Sequence, residues 1–181
     1  MKNIIVIGAS TSSSSINKAL ANYTASLLKN VELTKIDINA LNGLPIFSED
    51  YEKENPTPEA VIELNKLFKE TDGFIISHAE HNGSFSTGYK NAIDWVSRQG
   101  GKIFNQKPVM ILATSGGARG GSSVLGHAKD IYPHRGAIIS GVFSLPSYDD
   151  NFKDGRLIDE TLNKNLFEQL AIFEKNLKSD G

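Results

Sequence analysis

The sequence predicts an α/β fold: a doubly wound, five-stranded parallel sheet in the order 2-1-3-4-5, with helices on both faces. Three observations predict it. Short apolar runs rich in β-branched residues read as strands buried on both faces. They alternate with stretches whose apolar residues recur at helical spacing, the signature of βα units, and about five such units fit into the 181 residues. The loops after the first, third and fourth strands are rich in Gly, Ser and Asn. In a doubly wound sheet those loops meet outside the carboxyl ends of the strands, where ligands sit at the switch point between strands one and three. The chain is expected to form a single domain over residues 1–181, with 39% hydrophobic residues to build its core.

The first strand is Ile4-Ile5-Val6-Ile7, and Gly8 to Ser15 follow as a small, hydroxyl-rich loop. Asn17 to Leu28 gives the first helical pattern. Val31 to Asp37 alternates apolar and polar residues, as a strand exposed on one face near a sheet edge does. Asn39 to Phe47 is an irregular apolar excursion, expected to pack over the sheet or against another subunit, and the acidic stretch Glu49 to Glu54 reads as a solvated loop. Behind Pro58, Val61, Leu64, Leu67 and Phe68 share one helix face. Gly73 to Ser77 is the third strand, His78 to Thr87 a loop, and Tyr89 to Val96 a helix that closes near Gly100-Gly101. Pro108 to Thr114, the Gly-rich loop Ser115 to Gly121, a helix from Leu125 to Tyr132 and a strand from Gly136 to Phe143 complete the units. A last helix runs from Thr161 to Leu177.

Composition excludes several function classes. A formal net charge of -2 offers no footprint for a nucleic-acid backbone. No apolar run approaches a membrane span, and the chain enters its first strand without a secretory leader, so a cytoplasmic location is expected. The absence of Cys removes disulfides, thiolate metal sites and a cysteine nucleophile.

The chemistry is concentrated in the three loops. Strand, small hydroxyl-rich loop, helix is the layout of an anion site, because the helix start leaves N–H groups unpaired at the positive end of its dipole. One serine would suffice as an N-cap; the run Thr11 to Ser15 supplies five hydroxyls. The loop has neither the Gly-Lys-Ser/Thr of a P-loop nor the spaced glycines of a dinucleotide fingerprint, so a single phosphate fits best. In the second loop, Gly83 lets backbone approach a flat ligand, Asn82 can donate and accept, and His81 or Phe85 can lie against a ring. His78, Glu80 and His81 are alternatively metal ligands, without the His-Glu-x-x-His spacing on a helix. Glu80 is either a general base or a helix-end or loop carboxylate. Arg119 is either a solvated charge or a contact to a second anionic substrate. No Gly-x-Ser-x-Gly elbow is present, and Trp95 and Phe68 read as core residues.

These residues resemble the NAD(P)H-dependent FMN reductases of the flavodoxin-like fold, a family that includes FMN, quinone, chromate and azo-dye reductases. The similarity runs from the first strand to the fifth. Glu80-His81-Asn82-Gly83-Ser84-Phe85, continued by Lys90-Asn91-Ala92-Ile93-Asp94-Trp95-Val96-Ser97, is similar to the family's Pro-Glu-Tyr-Asn-Gly-Ser loop and the Lys-Asn-Ala-Ile-Asp-Trp helix behind it. Ser10 with Ser15-Ile16-Asn17 resembles the family's phosphate loop, with Ser12 standing where the family carries Arg. Ala79 replaces its Pro and His81 its Tyr. The resemblance implies that Ser10, Ser15, Ile16 and Asn17 hold the FMN phosphate. It implies that Glu80, His81, Asn82 and Gly83 line the isoalloxazine, with Ser115 and Gly116 at the other edge. Ser12, Ser84 and Gly117 complete the candidate cofactor residues. It further implies hydride transfer from NAD(P)H to FMN and then to a small acceptor such as free flavin, a quinone, an azo compound or a metal oxyanion, by ping-pong kinetics and without a catalytic side chain. A homodimer or homotetramer is implied as well. Two other readings are an electron carrier for a protein partner, against which the modest charge speaks, and a fold relative that binds another small anion, which rests on Ser12 and His81.

Overall fold

The computed structural model describes residues 1–178. Its elements follow in the order β1 (Lys2–Ala9), α1 (Ile16–Ser26), β2 (Val31–Asp37), α2 (Glu49–Glu54), α3 (Glu59–Glu70), β3 (Gly73–His78), β4 (Glu80–His81) and β5 (Ser84–Phe85). Then come α4 (Thr87–Ser97), β6 (Lys107–Thr114), α5 (Ser122–Ile131), β7 (Ala137–Leu145), α6 (Tyr148–Asn151), β8 (Phe152–Lys153), β9 (Arg156–Leu157) and α7 (Glu160–Lys178). The main sheet has five strands in the order β2-β1-β3-β6-β7, every neighbouring pair parallel. Counting only these strands, that is the 2-1-3-4-5 order of the flavodoxin-like, doubly wound fold.

Alternation along the strands builds two core layers. Phe74 and Ile76 of β3 face α3, α4 and α5, in a layer with Phe68 of α3, Trp95 of α4 and Phe104 of the segment before β6. Ile75 faces α1 and α7 with Leu112, Phe143, Leu170 and Phe173. Burial on both sides is why β1, β3 and β6 are continuous apolar runs, while β2, at the sheet edge, alternates. Gly8 permits the close seating of α1 on β1: a Cβ there would lie 2.7 Å from Lys18 Cβ.

Register sets the height of the loops. Ala9 pairs with His78, and His78 with Ala113, so β1, β3 and β6 end nearly level. Their three loops emerge together at one edge of the sheet.

Two segments differ from the sequence expectation, the acidic stretch before α3 and the loop after β3. Glu49 to Glu54 is a helix, not a loop, because Ser48 Oγ accepts the Tyr51 N–H at 3.1 Å and Glu49, Asp50 and Glu52 stand in the first turn, where the helix dipole favours acids. The segment after β3 is a tight hairpin: Asn82 (φ 51) and Gly83 (φ 79) form the left-handed pair of a type I′ turn between β4 and β5. Asp154 (φ 49) and Gly155 (φ 75) turn β8 into β9 the same way. The apolar excursion Asn39 to Phe47 packs within the chain, on α4. Pro45 carbonyl oxygen accepts from Trp95 Nε1 at 2.8 Å and from Asn91 Nδ2 at 3.1 Å, and Phe47 meets the Trp95 ring edge-on at 5.2 Å.

Candidate functional site

A cleft of about 340 Å³ opens where β1, β3 and β6 end. That volume lies in the range of small-molecule sites, roughly 300–1,000 Å³. The first loop contributes Ser10, Ser12, Ser14, Ser15, Ile16 and Asn17 to its walls. The end of β3 and the hairpin contribute Ala79, Glu80 and His81, and the end of β6 contributes Thr114, Ser115 and Gly116. The three loops singled out in the sequence therefore share one site.

The first loop caps α1 and presents hydroxyls and the helix start to the cleft. Ser10 Oγ accepts the Ser12 N–H at 3.2 Å, which turns the chain. Ser15 is the N-cap of α1, its Oγ accepting from Lys18 N at 3.2 Å. That satisfies one N–H of the first turn. The N–H groups of Ile16 and Asn17 have no intrahelical acceptor, and they stand at the positive end of the dipole. The hydroxyls of Ser12 and Ser14, both exposed, line the cleft beside them. The nearest cation on the helix, Lys18, is engaged by Asp37 Oδ1 at 2.8 Å. That bond from Lys18 holds the Asp37 carboxyl below its usual range. An anion here is met by hydroxyls, backbone N–H groups and a helix end rather than by a side-chain cation.

Asn17 is a clasp. Its buried Oδ1 accepts from Ser77 Oγ at 2.7 Å and from Thr114 N at 3.0 Å, and its Nδ2 donates to the Thr114 carbonyl at 3.1 Å. One amide thus ties the start of α1 to the ends of β3 and β6. A single Nδ2 hydrogen is left over for any ligand.

The hairpin is tethered to α5 at two points. Glu80 Oε2 accepts the Val124 N–H at 3.0 Å, capping a helix whose own N-cap, Gly121, has no side chain. Of the two readings of Glu80, the geometry favours the helix-end carboxylate. Ser84 Oγ bonds His127 Nδ1 at 2.9 Å, and the Phe85 ring stacks on His127 at 4.8 Å. Asn82, Gly83 and Ser84 thus form and anchor the turn and stand outside the cleft lining, while His81 faces the cleft. What Gly83 supplies is its positive φ; a Cβ there would meet only Ser123 Cβ, at 3.9 Å. Gly117 also stands outside the lining, its carbonyl accepting from Ser147 N at 3.0 Å and holding the loop to the segment after β7. Arg119 Nη2 donates to Ser123 Oγ at 2.7 Å, outside the cleft lining.

Sequence reasoning missed a buried polar chain under this site. His78 Nε2 bonds Tyr132 OH at 2.9 Å, and Tyr132 OH bonds Tyr89 OH. His78 is fully buried, and its Nδ1 has no partner among the described residues. Burial, with His127 adding to it, pushes the imidazole down to about 3, so it is neutral. Burial pushes both tyrosines up. The signal was the alternation Phe74, Ile76, His78, which places the imidazole in the core layer, away from His81. Among the described residues no group of His, Asp and Glu is placed to hold a metal.

The chain matches the family model described as NADPH-dependent FMN reductase over residues 2–150. It is 33% identical over 132 residues to a 2-hydroxy-1,4-benzoquinone reductase of a Burkholderia species, covering 72% of this chain and 69% of that one. It is 33% identical over 110 residues to a quinone reductase of Escherichia coli K12, covering 59% of this chain and 58% of that relative. Among solved structures it resembles the flavoenzyme NAD(P)H:(acceptor) oxidoreductase of Paracoccus denitrificans, with a TM-score of 0.81 at 24% identity over the whole of both chains. An FMN-dependent NADH-azoreductase of Bacillus anthracis, solved with FMN, shares the fold at a TM-score of 0.60 and 15% identity, over 97% of this chain and all of that one.

The cleft suits such a cofactor. The hydroxyls and open N–H groups at the start of α1 are chemically suited to a phosphate monoester, and the hairpin and the β6 loop line the same cleft. With most of its length matched by the family model, the chain belongs to the NADPH-dependent FMN reductase family: a flavodoxin-like oxidoreductase whose cofactors are FMN and NAD(P)H.

Proposed function

We propose that this protein is an FMN-dependent NAD(P)H oxidoreductase that delivers electrons to a small quinone-type acceptor, acting from residues 1–181 as one domain, as a homodimer or homotetramer in the cytoplasm. The observation that carries the proposal is the convergence of the anion cradle and the two ring-edge loops in one cleft at the switch point. The quinone class is favoured over free flavin, azo compounds and metal oxyanions by the names of the two relatives at 33% identity. Among the described residues no helix is long and apolar enough to cross a membrane.

When bound, FMN supplies acceptance of a hydride from NAD(P)H and its delivery to the acceptor. The residues of the chain bind and orient. Ser10, Ser12 and Ser15 with the N–H groups of Ile16 and Asn17 hold the phosphate. Glu80 and His81 border the ring on one side, Ser115 and Gly116 on the other. Asn82, Gly83, Ser84 and Gly117 keep these borders in place. Glu80 Oε2 is committed to the Val124 N–H, which fits a positioning role for this carboxylate.

Initial rates of NADPH oxidation at varied benzoquinone test the reading. Two substrates using one face in turn give parallel double-reciprocal lines. Intersecting lines, or no turnover of any quinone by protein that has bound FMN, would overturn it.

A further inference from the structure

We propose that the crevice between α4 and α5 is a second binding site, separate from the flavin cleft, for a monocyclic aromatic acid of the benzoate type. The crevice has a volume of about 140 Å³ and shares no lining residue with the cleft. An apolar cavity of about 150 Å³ accepts one benzene ring, so the size sets the ligand at a single ring.

Its walls are largely apolar, with four Phe and Tyr rings among the twelve lining residues. Phe104 and Tyr132 lie 4.6 Å apart between ring centroids, and Phe85 stacks over Tyr132 at 5.9 Å. Ile93 closes the α4 side. The hydroxyls of Tyr89 and Tyr132 are engaged with each other and with His78, so the floor offers ring surface to an occupant. Rings of this kind favour offset or edge-on aromatic partners.

The mouth selects for charge. Lys90 is neutralised there by both carboxylate oxygens of Asp94, at 2.6 and 2.7 Å. Arg135, exposed at the same mouth, has no carboxylate partner among the described residues. A guanidinium with no counterion beside a ring-sized apolar slot matches a carboxylate carried on that ring, and its planar fork can hold both oxygens. FMN is too large for the slot, and a neutral ring would leave Arg135 unused.

Calorimetric titration of sodium benzoate into the full-length protein, with and without saturating FMN, tests the proposal. The expected result is one site per chain whose affinity FMN leaves unchanged. Arg135→Ala, at an exposed position, should weaken benzoate about tenfold or more while benzyl alcohol binds as before, since a charge-assisted pair is lost. Ile131→Trp, at a lip residue 37% exposed, should fill the slot and abolish both. Displacement of benzoate by FMN, equal benzoate affinity in Arg135→Ala, or no benzoate binding by protein that takes up FMN normally would each overturn the proposal. A protein that fails to bind FMN yet binds benzoate in this manner would refute the flavin reading alone.

Discussion

Lowering the pH from 7 to 5 should cost the native state about 2 kcal/mol through one side chain, His78. Its imidazole is fully buried, and burial with the neighbouring His127 moves its pKa from 6.5 to about 3. Between those values the unfolded chain binds a proton that the folded chain refuses, so stability rises with pH across this window and falls as the pH drops through it. At pH 7 the unfolded imidazole is mostly neutral and the effect is small. At pH 5 the unfolded chain is nearly fully protonated, 1.5 units below its pKa of 6.5. At about 1.4 kcal/mol per unit, that gives about 2 kcal/mol. Asp37 and Asp72 are lowered from an ordinary value of 3.8, so the stability they add is lost chiefly below pH 5, outside the step from pH 7 to pH 5. The assay is urea unfolding of the flavin-free protein at both pH values, for wild type and His78→Gln. Glutamine keeps a hydrogen-bonding group toward Tyr132 but does not titrate. The wild type should lose about 2 kcal/mol more than the variant between pH 7 and pH 5. Equal pH dependence in the two proteins would refute the assignment of a buried, neutral imidazole.

Other substitutions separate fold from site. Asn17→Ala removes three buried hydrogen bonds and strands the Thr114 backbone groups, so urea unfolding should show a loss of about 3 kcal/mol; a loss below about 1 kcal/mol would contradict the clasp. Ser15→Ala removes the N-cap of α1, costing about 1 kcal/mol, and should also weaken FMN in a fluorescence-quenching titration; unchanged flavin affinity would take Ser15 out of the phosphate site. Glu80→Gln retains an acceptor for Val124 N–H, and turnover should stay within about threefold; a fall of about a hundredfold would assign Glu80 a proton-transfer role.

The layout of the sheet was legible because two-sided burial writes itself locally. Residues Ile4 to Ile7 and Phe74 to Ile76 are apolar without a break, and Val31 to Asp37 alternates because β2 has an edge position. Elements too short for a period were not. The helix α2 has no apolar repeat, and its only cue was Ser48 ahead of three acids. The β4–β5 hairpin has two-residue strands that cannot show alternation, although Asn82-Gly83 is a hairpin signal by itself. In the site, residue types and loops were legible, but partners were not. Asn17 was placed at the start of the first helix, where α1 has it, yet the groups that occupy its amide lie 60 and 97 residues further on. Tyr132, the partner of His78, lies 54 residues away, beyond the reach of any motif.

The visible spectrum of the purified protein with added FMN, followed under nitrogen on addition of NADPH or NADH, tests the central claim most directly. A protein-bound flavin band that bleaches on adding either nucleotide is the predicted result. A flavin that stays oxidised with both, or no protein-bound flavin at all, would contradict the account.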